Sequence, residues 1–150
     1  MKTDIPQSYC YEEKDTNCEK FGRLYTWKAA CTVCNMLGEG WRLPTNEEWR
    51  NLAEQYGGVR DTSEESGKAA YKTLLADGNA AFNALLGGSR EPNGNFARLD
   101  DHGFYWTVTE DDSGQVWFYN FAKRVLFLNR HEGGEKAMAC SVRCIKEVVE

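Results

Sequence analysis

No apolar run in this chain approaches the roughly 20 residues that cross a bilayer as a helix, so direct membrane insertion is not expected. Met1 leads into Lys2-Thr3-Asp4-Ile5-Pro6 without an apolar h-region, and the start therefore reads as carrying no signal peptide. A basic face is missing too. The 18 Lys and Arg stand against 23 Asp and Glu, giving a net charge of -5, and the cations are scattered apart from Lys123-Arg124 and Arg130. That argues against nucleic acid as a partner. Only two histidines occur, His102 and His131, both distant in sequence from the one short Cys-x-x-Cys spacing, Cys31-Thr32-Val33-Cys34. A four-ligand zinc site is thus not expected, and no metal or cofactor is assigned. No internal repeat or low-complexity tract is found.

What is abundant is cysteine and aromatic surface. Six cysteines fall in three groups, Cys10/Cys18, Cys31/Cys34 and Cys140/Cys144. A redox pair would sit after a strand, at a helix N-terminus. Cys31 and Cys34 lie inside a helical stretch instead. A disulfide framework, and with it an exported protein, is what remains. The 150 residues make one domain by size, taken as 10–150 after an N-terminal extension, 1–9.

Cys10 and Cys18 bracket a polar loop that one disulfide could close. Thr26 can cap a helix from about Trp27 to Leu37, with Trp27, Ala30, Cys31, Cys34 and Leu37 on one face and Gly38 as the stop. Helical neighbours three apart have Cβ atoms about 5–6 Å apart, too far for a disulfide at about 3.8 Å, so Cys31 and Cys34 do not pair. Cys140 and Cys144, four apart on an extended run, lie roughly 13 Å apart and do not pair either. The solution is helix to strand, Cys34 to Cys144. A second such bond, Cys31 to Cys140, carries a tension, because the helix pair is closer together than the strand pair.

Thr45 and Glu48 spell a capping box, and a helix follows with Trp49, Leu52, Ala53 and Tyr56 on one face, ending at Gly57-Gly58. Lys68 to Ala76 is a third helical candidate, and Ala80 to Leu99 reads as irregular, rich in turn signals. From Gly103 to Lys146 the pattern changes. Runs at Phe104–Thr109, Gln115–Phe121, Val125–Leu128 and Ala137–Ile145, separated by Gly-bearing gaps, predict an antiparallel meander. Eight of nineteen aromatic residues crowd into it, more than one sheet face buries easily. Trp41, Trp49 and Trp106 are expected in the core.

The order of short motifs resembles the Fibrobacter succinogenes major paralogous domain across roughly Cys10 to Lys146. The matching residues are Cys10-Tyr11 with Asn17-Cys18, Phe21-Gly22-Arg23-Leu24-Tyr25-Thr26-Trp27, and Gly40-Trp41-Arg42-Leu43-Pro44-Thr45 with Glu48-Trp49. Further on stand Phe82-Asn83-Ala84-Leu85, Gly87-Gly88, Arg90, Gly103 to Trp106, Thr109-Glu110 and Ser141-Val142-Arg143-Cys144. The resemblance implies an α+β, C-type-lectin-like fold, two main helices flanking a small twisted antiparallel sheet, with disulfides Cys10–Cys18 and Cys34–Cys144. Cys31 and Cys140 look like additions, and their co-occurrence favours a mutual bond. The fold so implied is similar to that of formylglycine-generating enzymes, which share the Arg-Leu-Pro-Thr and Glu-Trp pattern. It is similar too to the variable proteins of diversity-generating retroelements, whose rewritten C-terminal face would fall at about 114–139 here.

Candidate ligand-binding residues lie on that face. If Val125 and Phe127 face the core, Arg124, Leu126, Leu128 and Arg130 face out. The inverted register buries the leucines, and a third option buries both faces. The arginines share the leucine face, which favours the first. Trp117, Tyr119 and Phe121 share one side of the preceding strand and Val116, Phe118 and Asn120 the other, with the core side left open. Trp117 and Tyr119 carry polar handles that suit partial exposure. His131 and Glu132 add polar specificity, or form a plain solvated loop. Asp100-Asp101-His102 reads as a turn, and Glu110-Asp111-Asp112 lacks the ligand spacing of an EF-hand.

The expectation is a non-catalytic ligand-binding module of an exported or surface protein, taking a protein or a glycan on that face. The alternatives are an enzyme of the formylglycine-generating kind, which needs a reactive thiol, and a purely structural surface domain.

Overall fold

In a computed structural model of the chain, described for residues 6–60, 64–75, 78 and 80–147, local signals build a frame of helices around one aromatic sheet. Ser8–Tyr9, taken from the sequence as extension, forms β1 and pairs antiparallel with β2 (Leu24–Tyr25). Between them the expected polar loop is folded: a 3-10 turn at Tyr11–Glu13 leads into α1 (Asp15–Phe21), cross-linked by Cys10–Cys18. Asp15 in its first turn and Lys20 in its last both suit the helix dipole. The run is short and charged, so its helical period is invisible without the disulfide that clamps it.

α2 (Trp27–Asn35) buries Ala29, Ala30, Val33 and Cys34, and stops before Leu37, which is exposed. Thr26 occupies the N-cap position but makes no side-chain cap; its hydroxyl donates to the Gln7 side chain at 3.2 Å. β3 (Trp41–Arg42) pairs with β9 (Ile145–Lys146), joining the middle of the chain to its end. α3 (Asn46–Gln55) starts with the expected capping box, Thr45 with Glu48 in both directions. α4 (Glu64–Leu74) begins earlier than the sequence suggests; the expected end at Ala76 lies outside the described residues. Within the stretch read as irregular, β4 (Ser89–Arg90) and β5 (Phe96–Ala97) make a two-residue hairpin.

β6 (His102–Glu110), β7 (Val116–Ala122) and β8 (Phe127–Gly134) form an antiparallel sheet in that order. Both faces are covered. One packs Tyr105, Tyr119, Phe121 and Leu128 against Trp49, Ala53, Tyr71 and Leu74 of α3 and α4. The other packs Phe104, Trp106 and Val116 against Ala30, Val33 and Cys34 of α2 and against Leu43 and Val142. Each fully buried large side chain contributes about 1.5–3 kcal/mol, so the two-sided burial explains how so many aromatics in one segment are accommodated. Trp49 and Trp106 are core residues, whereas Trp41 is only half-buried.

The last run, expected as one strand from Ala137 to Ile145, is not one. Ala139, Cys140 and Ser141 bridge singly to Arg90, Tyr25 and Tyr105, so the segment threads between three partners before β9. Among the described residues the architecture is α+β, with four helices where two main ones were expected, small antiparallel sheets and two disulfides, Cys10–Cys18 and Cys34–Cys144. The third pairing is corrected. Cys31 and Cys140 are free thiols, Cys140 fully buried in the backbone bridge to Tyr25 and Cys31 packed at the edge of the same core.

Candidate functional site

The eight candidate binding residues do not form one face. Lys123 to Leu126 make a turn rather than a strand, with Leu126 at φ +58 and 52% exposed, and β8 begins only at Phe127. A left-handed residue at the turn breaks the alternation on which a shared Arg124–Leu126–Leu128–Arg130 face depends. Leu128 is therefore core, 0% exposed, and its carbonyl accepts from the Arg60 backbone N–H at 2.9 Å. Tyr119 is core as well: its ring stacks on Trp49 at 5.2 Å and its hydroxyl donates to the Asn46 carbonyl at 2.9 Å. The expectation of exposure fails for both because α3 and α4 cover this side of the sheet. Arg124 reaches across the turn to Asp101 at 3.3 Å, and Lys123 lies 3.9 Å from Asp100. Such exposed pairs contribute little to stability.

Trp117 and Arg130 do come together. The guanidinium stands 5.0 Å from the indole centroid, both side chains half-buried on the same face as Tyr119. Tyr119 pairs in register with Arg130 and reaches Asn46, which with Thr45, Arg50 and Thr109 lines an open cleft of about 670 Å³. Asn46 in turn receives its place from Thr109, whose hydroxyl accepts from the Asn46 backbone N–H at 2.9 Å. Sequence reading missed Asn46 and Thr109 as neighbours of this face. Their signal was present, since Asn46 directly follows the cap residue, but only the tertiary contact reveals it.

His131 lies on the opposite face, its ring 5.3 Å from that of Phe118. Partial burial there, followed by the nearby charges of Arg60 and His102, draws its pKa below the ordinary histidine value. His102 stacks on Phe104 at 5.4 Å and its Nδ1 is 3.0 Å from the Asn120 side-chain oxygen. Glu132 is exposed on the return strand.

Neither acidic turn is a ligand shell. Asp111 accepts from the backbone N–H groups of Ser113 and Gln115 on one oxygen and from that of Gly133 at 2.7 Å on the other. The Ser113 hydroxyl, then these backbone donors, hold its carboxyl below the ordinary range. It is a staple across the β6–β7 turn and the end of β8. Among the described residues no group of three or more His, Cys, Asp or Glu is arranged to hold a metal ion, and no helix is long and apolar enough to cross a membrane.

Burial pushes the Cys140 thiol well up and, to a smaller extent, that of Cys31.

The sequence model described as the Fibrobacter succinogenes major domain matches residues 1–146. No curated protein and no solved structure matches the chain.

Proposed function

The chain belongs to the Fibrobacter succinogenes major domain family, and we propose that it is a non-catalytic ligand-binding module of an exported or surface protein. The observation that carries this is the Trp117–Arg130 pair, an aromatic and a guanidinium held half-exposed at 5.0 Å on a sheet whose two faces are otherwise packed. Trp and Arg are the residues most often responsible for binding energy at recognition surfaces. Here they are pre-organised, because the strands beneath them cannot move without disturbing the core. The open cleft at Asn46 and Thr109 extends the same side of the sheet. A protein or a glycan is the ligand class that fits.

Two disulfides fit folding in an oxidising compartment, which supports export. The raised thiol pKa values of Cys31 and Cys140 weigh against formylglycine-type chemistry, where a lowered one is required. The resemblance behind the C-type-lectin-like fold and the retroelement diversification supports a finer version of the same proposal. In that version only the surface positions between 114 and 139 are free to vary. Trp117, Arg124, Val125, Leu126 and the run Arg130 to Glu132 qualify, whereas Val116, Tyr119, Phe121 and Leu128 are core.

The test is binding of the chain to a printed array of glycans and surface proteins, repeated with Trp117→Ala and Arg130→Glu. The expected result is hits that disappear in both variants while their melting temperatures stay within a few degrees of the parent. Hits that survive both changes would place binding elsewhere. Sequencing the flanking DNA tests diversification: a near-copy differing at adenines in the codons of the surface positions is expected, and adenine changes in core codons would contradict it.

A further inference from the structure

Among the described residues, three buried side-chain polar atoms have no hydrogen-bond partner: Tyr25 Oη, Trp49 Nε1 and Ser141 Oγ. Native interiors rarely leave such groups unpaired. Two of the three residues, Tyr25 and Ser141, line a single cleft of about 440 Å³, whose lining includes neither Trp117 nor Arg130. Tyr25 is 1% and Ser141 6% exposed, so both residues are buried behind the cleft they help to line.

Gly87 packs closely against two residues of that lining, Ser141 and Phe21. A Cβ placed there would stand 3.1 Å from Ser141 Oγ and 3.7 Å from the Phe21 Cβ. Gly88 beside it needs glycine for its φ of +66, but Gly87 is not among the residues with positive φ. Close approach to the Ser141 hydroxyl, not backbone conformation, is what its missing side chain permits.

The rim is cationic in an acidic protein. Lys20, Arg23 and Arg143 line it against one carboxylate, Glu19, while the whole chain has a net charge of -5. Neither guanidinium is neutralised by the oxygens that hold it. Arg23 donates to the Ser8 hydroxyl and carbonyl at 3.1 and 3.0 Å, and Arg143 to the carbonyls of Phe82 and Asn83 at 2.9 and 2.6 Å. Phe21, Tyr105 and Val142 give the cleft apolar walls. Unpaired hydroxyls below, fixed positive charge above and apolar faces at the sides make the mix of a small-molecule site.

We propose that this cleft binds a small hydroxylated carboxylate of the size of one sugar-acid ring. The carboxylate faces the cationic rim, the ligand's hydroxyls exchange hydrogen bonds with Ser141 and Tyr25, and the ring's C–H face lies on the apolar wall. The cleft includes neither Trp117 nor Arg130, so either site can fail without the other.

The experiment is saturation-transfer and titration NMR of the full chain with D-glucuronate, D-glucose, acetate and an oligogalacturonide. Glucuronate is expected to bind at least tenfold more tightly than glucose, which lacks the charge, and acetate, which lacks the hydroxyls. Tighter binding of the oligomer identifies a polyuronide as the source, and tighter binding of the monosaccharide a free sugar acid; both support the site. Gly87→Ala, which crowds Ser141 Oγ, and Lys20→Glu, an exposed change on the rim, should each weaken binding at least tenfold. Lys20→Glu keeps the test decisive if Gly87→Ala disturbs folding. Absence of saturation transfer with every ligand, equal affinity for glucose and glucuronate, or binding indifferent to Lys20→Glu overturns the proposal.

Discussion

Arg42 and Glu48 meet in a two-bond fork, Nη1 to Oε1 at 2.7 Å and Nη2 to Oε2 at 3.0 Å, while Glu48 Oε1 also accepts from the Thr45 backbone N–H at 2.9 Å. One carboxylate thus closes the cap of α3 and fixes the strand β3 that precedes it. Glu147 adds a further bond to Arg42 at 2.8 Å, so β3, α3 and the residue that follows β9 converge on one guanidinium.

That convergence sets an acid limit. The Arg42 hydrogen bonds, aided by the Thr45 backbone, lower the Glu48 pKa from 4.5 to about 2. A carboxylate whose folded pKa lies below its unfolded value contributes stability fully above the unfolded pKa and loses it as pH falls through the folded one. Stability should therefore decline between about pH 4.5 and pH 2. Glu48→Gln should cost about 1–2 kcal/mol at neutral pH, a figure reduced because both side chains keep 31% of their surface in water, and should flatten that decline. Urea melts across pH 2–7 give the comparison; an unchanged acid slope in the variant would show that other carboxylates set it.

Leu126 and Leu128, two residues apart, should respond oppositely to the same charge. Leu126→Asp, at an exposed turn, should change stability by less than about 0.5 kcal/mol. Leu128→Asp buries a carboxylate among Tyr105, Tyr119 and Phe121 and should cost more than about 3 kcal/mol or prevent folding. Thermal melts of the two variants decide it, and equal losses would contradict the register of β8.

Intact mass with and without reductant should reveal two disulfides, and native thiol labelling should modify Cys31 slowly and Cys140 only after unfolding. Removing Cys34–Cys144, which spans 110 residues, should cost about 3–5 kcal/mol. A mass showing three bonds would place Cys31 and Cys140 in one.

Arg143 should act as a local clamp. Its guanidinium holds the Phe82 and Asn83 carbonyls and lies over the Phe82 ring at 4.8 Å. Arg143→Ala should cost about 2–3 kcal/mol and speed amide exchange first around Ala84 and Leu85. Uniform acceleration across the chain would assign it a global role instead.

The sequence carried the local parts of this fold. The Thr45–Glu48 cap and the Gly-separated strands β6 and β7 follow from hydrogen bonds and spacings between near neighbours, and the Cys34–Cys144 pairing from the exclusion of bonds within each neighbouring cysteine pair. α1 escaped notice because seven polar-rich residues carry no apolar period, and the single bridges of Ala139, Cys140 and Ser141 because nothing local marks a change of partner. Of the candidate site, Trp117 and Arg130 meet only in the folded chain, while Leu128 and Tyr119, expected at the surface, belong to the core. Which side of a strand is buried depends on what other elements lie against it. When helices cover both faces, apolar and aromatic residues occur on both, and the alternation that would reveal the outside is lost. That decision, like the fate of Cys31 and Cys140 and the unpaired hydroxyls of Tyr25 and Ser141, is made only when distant segments pack.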